Sequence, residues 1–233
     1  MTVFSRFLVN PQRRGARKLL SSPQAMHAAV LSSFPPDADG DGRVLWRLDD
    51  QHPEYRLYVL SPEEPDFTHL VEQAGWATRT WDATDYAPML DRVAAGQEWG
   101  FRLTANPVKS LHRPGERGKS VPHVTEDQQI AWLAERAPRH GFELRRVPSP
   151  GSESQVPDVR VTRRVDLSFG KRDDAPGPGR RRVTLRQARF DGTLRVTDAE
   201  LLRTAMVQGI GRGKAYGCGL LTLRSLASPG AQP

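Results

Sequence analysis

Cysteine is nearly missing from this 233-residue chain, where Cys218 stands alone. A single thiol excludes a disulfide framework and a cysteine-built zinc site. The six histidines are scattered, with no close pair at metal-ligand spacing. No stretch approaches the ~18 uninterrupted apolar residues of a membrane span. The opening Met1-Thr2-Val3-Phe4-Ser5-Arg6 lacks the apolar core of a secretory signal. We therefore expect a cytoplasmic, reduced protein with no membrane contact, no metal and no cofactor.

Acidic residues are scarce only in the second part of the chain. Residues 1–100 hold 10 Lys and Arg against 14 Asp and Glu, and residues 101–233 hold 24 against 13. Such asymmetry points to a polyanion bound mainly by the C-terminal part. Most of the cations are arginine, which suits bidentate contacts to phosphate and guanine.

The densest signal is Val207–Leu221, with five glycines in the eleven positions 209–219 and Arg212 and Lys214 between them. Glycine admits left-handed backbone and close approach, and successive exposed N–H groups form a concavity for an anion. A dinucleotide fold is rejected on segment order, because such a glycine motif must follow a strand and open a helix. Here a helical pattern, Asp198–Val207, precedes it and a short strand follows. The Walker pattern fails too, since no Ser or Thr follows Lys214.

Along the chain, Thr2–Val9 reads as a strand and Arg13, Arg14, Arg17 and Lys18 as a basic loop. Ser22-Pro23 gives a cap and a first-turn proline. They open a helix through about Ser32 whose apolar face carries Met26, Ala29, Val30 and Phe34. Strands at Val44–Asp49 and Tyr55–Leu60, a helix at Asp66–Gly75 and a strand at Ala77–Asp85 follow, the order of a split βαβ unit. The plan then repeats. Trp99–Ala105 is a strand, and Lys109–His123 a polar connection. Thr125–Arg139 is a helix with a capping box at Thr125 and Gln128 and a core face of Ile130, Leu133 and Ala134. Phe142–Val147 is a strand, Pro148–Pro157 a linker, and Arg160–Phe169 and Arg181–Asp191 a basic hairpin. The expected class is α+β, two tandem ferredoxin-like (RRM-like, βαββαβ) domains over 1–95 and 96–227, with a disordered tail at 228–233. The hairpin carries Arg160, Arg163, Arg164, Arg181, Arg182, Arg186 and Arg189, a ribbon able to straddle a duplex backbone. The aromatic platform that stacks single-stranded bases in an RNA-recognition motif is absent.

Several of these segments together resemble the CasE subfamily of CRISPR-associated endoribonucleases. They are Met26-His27, Leu103–Lys109, Gln129–Leu133, Phe190–Leu194, Gly209–Lys214 and Gly217–Leu221. The resemblance covers most of the chain. It implies a protein that binds the stem-loop of the CRISPR repeat and cuts precursor RNA at the 3′ base of the stem without a metal, then stays on the product with the other type I-E Cascade subunits. It also implies His27 as the proton-transferring group, since a histidine titrates near working pH. The RNA would supply the nucleophile, its own 2′-hydroxyl, and the products would be a 2′,3′-cyclic phosphate and a 5′-hydroxyl. Positive charge from the Arg13–Lys18 loop and the helix N-terminus is expected to disfavour imidazolium at His27. The family tyrosine three residues before this histidine is replaced by Gln24, which can hydrogen-bond but not exchange protons at neutral pH. Lys214 is the expected phosphate contact, beside Arg212 and the backbone of Gly211 and Gly213. Further RNA contacts are expected from Arg13, Arg14, Arg17, Lys18 and Lys109. Tyr216 and Lys18 are candidates to replace the missing tyrosine. The alternative reading is a subunit that holds an RNA hairpin and performs no chemistry.

Overall fold

The computed structural model describes residues 2–35, 42–51, 53–111, 119–149, 151, 153–170 and 182–226. Strand β1 (Val3–Val9) leads into a helical hairpin, α1 (Arg14–Ser21) and α2 (Pro23–Leu31). Then come β2 (Leu45–Gln51), β3 (Glu54–Ser61), α3 (Thr68–Ala74), β4 (Trp81–Asp85) and the short α4 (Ala87–Asp91). Alternate residues of β1, Val3, Ser5, Phe7 and Val9, are buried, as a half-covered strand requires. The four strands form an antiparallel sheet in the order β2-β3-β1-β4.

The second part begins with β5 (Glu98–Ala105), the small hairpin β6 (Val108–Leu111) and β7 (Lys119–Pro122), and α5 (Glu126–Arg136). Next are β8 (Phe142–Leu144), a second small hairpin of β9 (Arg146–Pro148) and β10 (Gln155–Pro157), and the long ribbon of β11 (Val159–Gly170) and β12 (Arg182–Val196). Helix α6 (Ala199–Gln208) and β13 (Leu221–Arg224) complete it. The sheet order is β11-β12-β5-β13, with β8 also on β12, and every pairing is antiparallel.

Local chemistry explains the helix starts. Ser22 Oγ accepts from the Ala25 N–H with Pro23 in the first turn, and Thr125 and Gln128 form the reciprocal capping box. Asp198 caps α6 by accepting from the Leu201 N–H.

Three expectations change. Arg13–Lys18 is not a loop, because Arg14–Ser21 is the helix α1. It has no side-chain cap, and Gly15 sits inside it because a Cβ there would lie 2.4 Å from the Gln73 carbonyl oxygen. Packing of Ala16 and Leu19 against α3, not propensity, holds it. The ends of the Lys109–His123 connection pair as β6 and β7, and the Pro148–Pro157 linker contains β10. On α5 the core face is Gln129, Trp132 and Leu133, with Ala134 exposed. Gln129 is buried with its amide nitrogen donating to the His123 carbonyl at 3.0 Å, while its amide oxygen has no partner among the described residues. Arg181, His52, His112 and the 228–233 tail lie outside the described residues.

The two sheets are joined by apolar packing and by ions. Leu45, Leu60, Tyr86 and Val93 from the first part belong to the core built around Phe101, Phe190 and Leu221 of the second. Arg47, 2% exposed, pairs with both oxygens of Asp49 at 2.8 and 3.0 Å. Its Nη1 donates across the junction to the carbonyls of Leu220 (3.0 Å) and Arg102 (3.2 Å). Arg102 then bridges Asp49 and Asp191.

Candidate functional site

His27 lies on α2 one turn after Gln24, so both occupy one face of the helix. Helix α2 packs directly on a 3-10 turn, Lys214–Tyr216, in the middle of the glycine run. That turn exists because its flanking residues are left-handed, Gly213 at φ +84° and Gly217 at φ +80°. Gly209, Gly211 and Gly219 are left-handed too. Four of the five, all but Gly213, also have a neighbour that a side chain would strike or crowd: a Cβ on Gly217 would lie 2.7 Å from the Trp46 ring, and one on Gly211 3.3 Å from Trp132. The glycines therefore serve the junction of the two sheets as much as any ligand. The N–H groups of Gly209, Ile210, Tyr216, Gly217, Cys218 and Gly219 are spent on internal carbonyls. Those of the five residues 211–215 take no backbone acceptor among the described residues, so the N–H groups open to an outside acceptor are confined to this stretch.

His27 is half-buried, and its pKa is lowered from the ordinary value by burial. No cationic neighbour contributes, so the expected depression is present but its cause is desolvation, not the α1 arginines. Its Nδ1 is buried with no hydrogen-bond partner among the described residues. Imidazolium needs protons on both nitrogens, and a buried, unpaired N–H costs ~1–3 kcal/mol. Burial thus favours a neutral ring at neutral pH, while a base acting through Nε2 carries that same unpaired proton on Nδ1. Of the other described histidines, His69 is structural, its Nε2 lying 3.0 Å from the Ala29 carbonyl of α2.

Lys214 is turned inward. Its amine donates to the Gln208 carbonyl at 2.6 Å, and burial, with Arg43 adding repulsion, lowers its pKa. Arg43 stood in no sequence motif and is found only through this proximity. Arg212 is exposed beside Ser120 of β7, and Lys109 is exposed on β6.

The ribbon divides its arginines between two faces. Arg163 and Arg189 look toward α1 and α2, lining a cleft with Leu20, Pro23 and Met26. Arg164 and Arg186 line the other face beside Val124. Arg186 is held by Asp166 at 2.6 and 2.7 Å, and Arg163 by Asp50 at 3.6 Å. Arg160, Arg164, Arg14 and Lys18 are exposed and have no ion-pair partner among the described residues. Arg13 donates to the Glu72 carbonyl and Arg17 to that of Gln12, so α1 spends part of its charge on tertiary contacts. Arg182 opens β12. Alternation along β11 would have revealed the two-faced ribbon, since successive strand residues point to opposite sides. A separate cleft of about 500 Å³ surrounds Arg47, Asp49 and Arg102.

Cys218 is fully buried, and burial pushes its thiol up to about 12, so it is not a nucleophile. Among the described residues no His, Cys, Asp or Glu side chains gather as metal ligands, and no helix is long and apolar enough to cross a membrane.

The CRISPR-associated protein family matches residues 3–225. The chain belongs to that family, in its Cse3/CasE branch. It is 30% identical over 224 residues to the CRISPR-associated endoribonuclease Cse3 of Thermus thermophilus, covering 94% of this chain and 98% of that one. It is 28% identical over 198 residues to the Cascade subunit CasE of Escherichia coli, covering 78% and 89%. The solved structure of the Thermus Cse3 bound to an RNA representing a pre-cleavage complex superposes with a TM-score of 0.74 at 28% identity, over 96% of this chain and 98% of that one.

Proposed function

We propose that this protein is an endoribonuclease that binds the stem-loop of a CRISPR repeat and cuts precursor RNA at the 3′ base of the stem. The observation that carries the reading is the seating of α2, with its half-buried neutral His27, on the glycine turn that holds Lys214 and the unspent N–H groups of 211–215. The full-length likeness to relatives named as Cse3 endoribonuclease and Cascade subunit supports it. In this reading the RNA attacks its own phosphate. His27 Nε2 takes the 2′-hydroxyl proton, the phosphorane charge meets the backbone N–H groups and Lys214, the P–O5′ bond breaks as water protonates the departing 5′-oxygen, and a 2′,3′-cyclic phosphate and a 5′-hydroxyl result. No metal takes part, Gln24 orients the hydroxyl or phosphate by hydrogen bonding, and the product stays with other type I-E Cascade subunits. The two sheets with their helices, 1–95 and 96–227, are read as tandem ferredoxin-like domains.

The test is single-turnover incubation with a cognate repeat hairpin in EDTA. We expect one cut at the 3′ base of the stem, with cyclic-phosphate ends; a 3′-hydroxyl product refutes the chemistry. Glutamine in place of the tyrosine that the CasE resemblance implies favours one second reading, a hairpin-holding subunit without chemistry. That subunit would bind the same RNA and leave it whole.

A further inference from the structure

Between the helical hairpin and the inner face of the ribbon lies a cavity of about 110 Å³. At ~10–15 Å³ for one water on this scale, it holds several waters, the room of one planar ring system and not of a whole nucleotide. Its walls are apolar, with Leu20 and Met26 on one side and Val165 and Leu167 on the other. Tyr216 closes one end, its ring fixed edge-on by Phe169 at 4.9 Å. The polar groups are few and specific in placement. Thr104 and Gln187 stand on the lining, and neither the Thr104 hydroxyl nor the Gln187 amide oxygen has a hydrogen-bond partner among the described residues. The Gln187 nitrogen is already spent on the Tyr216 carbonyl at 2.7 Å, which fixes that oxygen in place. Arg163 and Arg189 stand on the same lining. Apolar walls, one aromatic face, two edge-reading oxygens and two guanidinium groups form a site for a flat, hydrogen-bonding ring attached to a phosphodiester.

We infer that this cavity takes one unstacked base of the RNA, from an unpaired nucleotide flanking the stem, and so sets which nucleotide stands next to His27. The inference rests on the endoribonuclease reading above. Met26, the residue before His27, forms part of the wall, and Tyr216 belongs to the turn on which α2 sits. A base held there fixes the sugar–phosphate beside it with respect to the imidazole. The stem is left to the outer cations of the ribbon. The free oxygens of Thr104 and Gln187 accept hydrogen bonds, so a base presenting an amino or imino N–H is preferred.

The experiment places 2-aminopurine, then an abasic site, at each unpaired position on either side of the stem of a repeat hairpin, with the wild-type protein. One position is expected to change fluorescence on binding, and the abasic RNA at that position to bind about 10-fold more weakly, as loss of one base on an aromatic platform does. Val165→Trp fills the cavity. It should bind intact RNA about as weakly as wild type binds the abasic RNA, with no further loss when both changes are combined. If every flanking abasic RNA binds within twofold of the intact hairpin while the hairpin is still bound and cut, the cavity assignment is overturned and the nuclease reading stands. If no hairpin is bound or cut at all, the nuclease reading itself fails. The measurements on wild-type protein decide the matter even if Val165→Trp does not fold.

Discussion

Arg47→Met tests whether the two sheets are locked by ions. Methionine keeps most of the aliphatic length and removes four hydrogen bonds, two to Asp49 and one each to the carbonyls of Leu220 and Arg102. It leaves Asp49 charged, with its side chain 2% exposed and, among the described residues, only Arg102 at 3.2 Å as an ionic partner. Removing one partner of a buried pair costs ~3–5 kcal/mol, a large part of the ~5–15 kcal/mol that holds a typical protein folded. With a urea slope of ~2 kcal/mol/M, the midpoint should fall by about 2 M. Tryptophan fluorescence follows the transition, since Trp46 sits at the junction. Burial raises the pKa of Asp49, but the charges and hydrogen bonds of Arg47 and Arg102 outweigh it, and the net shift is downward. A depressed carboxylate contributes stability above its unfolded value, near 3.9, and loses it as pH falls through the folded value. The variant loses the main lowering influence, so its deficit should be widest near neutral pH and shrink in acid. The double variant with Asp49→Leu should recover at least half of the loss, because no buried charge is then left poorly paired. A loss under about 1 kcal/mol for Arg47→Met at pH 7 would refute the ionic lock.

His27→Ala should slow single-turnover cleavage by about 10²–10⁴-fold, the usual contribution of a proton-transferring side chain, with hairpin affinity unchanged in a filter-binding assay. Because burial lowers the His27 pKa, the wild-type rate should rise with pH and level off with a midpoint below 6.5; a midpoint above that contradicts the neutral-base role. Gly217→Ala forces a Cβ into left-handed backbone, at ~1–2 kcal/mol, and to within 2.7 Å of the Trp46 ring, so thermal denaturation should show a clear drop in midpoint. Arg164→Ala should reduce the slope of log affinity against log salt by about 1, as loss of one phosphate contact does; an unchanged slope would remove that face of the ribbon from the RNA.

Where the sequence carried local chemistry, the fold was legible. Ser22-Pro23 and Thr125 with Gln128 announce their helices through capping groups, and the arginine-rich β11–β12 ribbon is visible as two strands. Helix α1 was hidden for the opposite reason. It has no capping residue, it holds three cations, and its glycine reads as a breaker until the Gln73 carbonyl beside it is known. Burial of Gln129 and Arg47 was illegible as well, since the acceptors that make it tolerable lie elsewhere in the chain. The glycine run signalled unusual backbone correctly. The part with unspent N–H groups is shorter than the run itself, and four of its five left-handed glycines sit where a side chain would strike or crowd a neighbour.

The cations of the glycine turn and of the ribbon's inner face are not idle, and this bears on how the proposed chemistry would work. Lys214 is bonded to the Gln208 carbonyl, Arg163 to Asp50, and Arg189 lies near Asp191. Arg160 and Arg164, without ion-pair partners among the described residues, are exposed on β11, where Coulomb attraction would draw a duplex from a distance. Long-range capture and local chemistry are thus assigned to different side chains. In the proposed complex a phosphate arriving at the turn would first meet the N–H groups of 211–215, which take no backbone acceptor among the described residues. To draw Lys214 it must offer more than one carbonyl hydrogen bond, which a dianionic phosphorane does and a singly charged diester does less well. An ammonium released only toward the greater charge would stabilise the transition state more than the bound RNA, the condition for raising a rate and not merely an affinity. Lys214→Ala should therefore lower the single-turnover rate more than it weakens hairpin binding. Equal losses in the two would make Lys214 a ground-state contact.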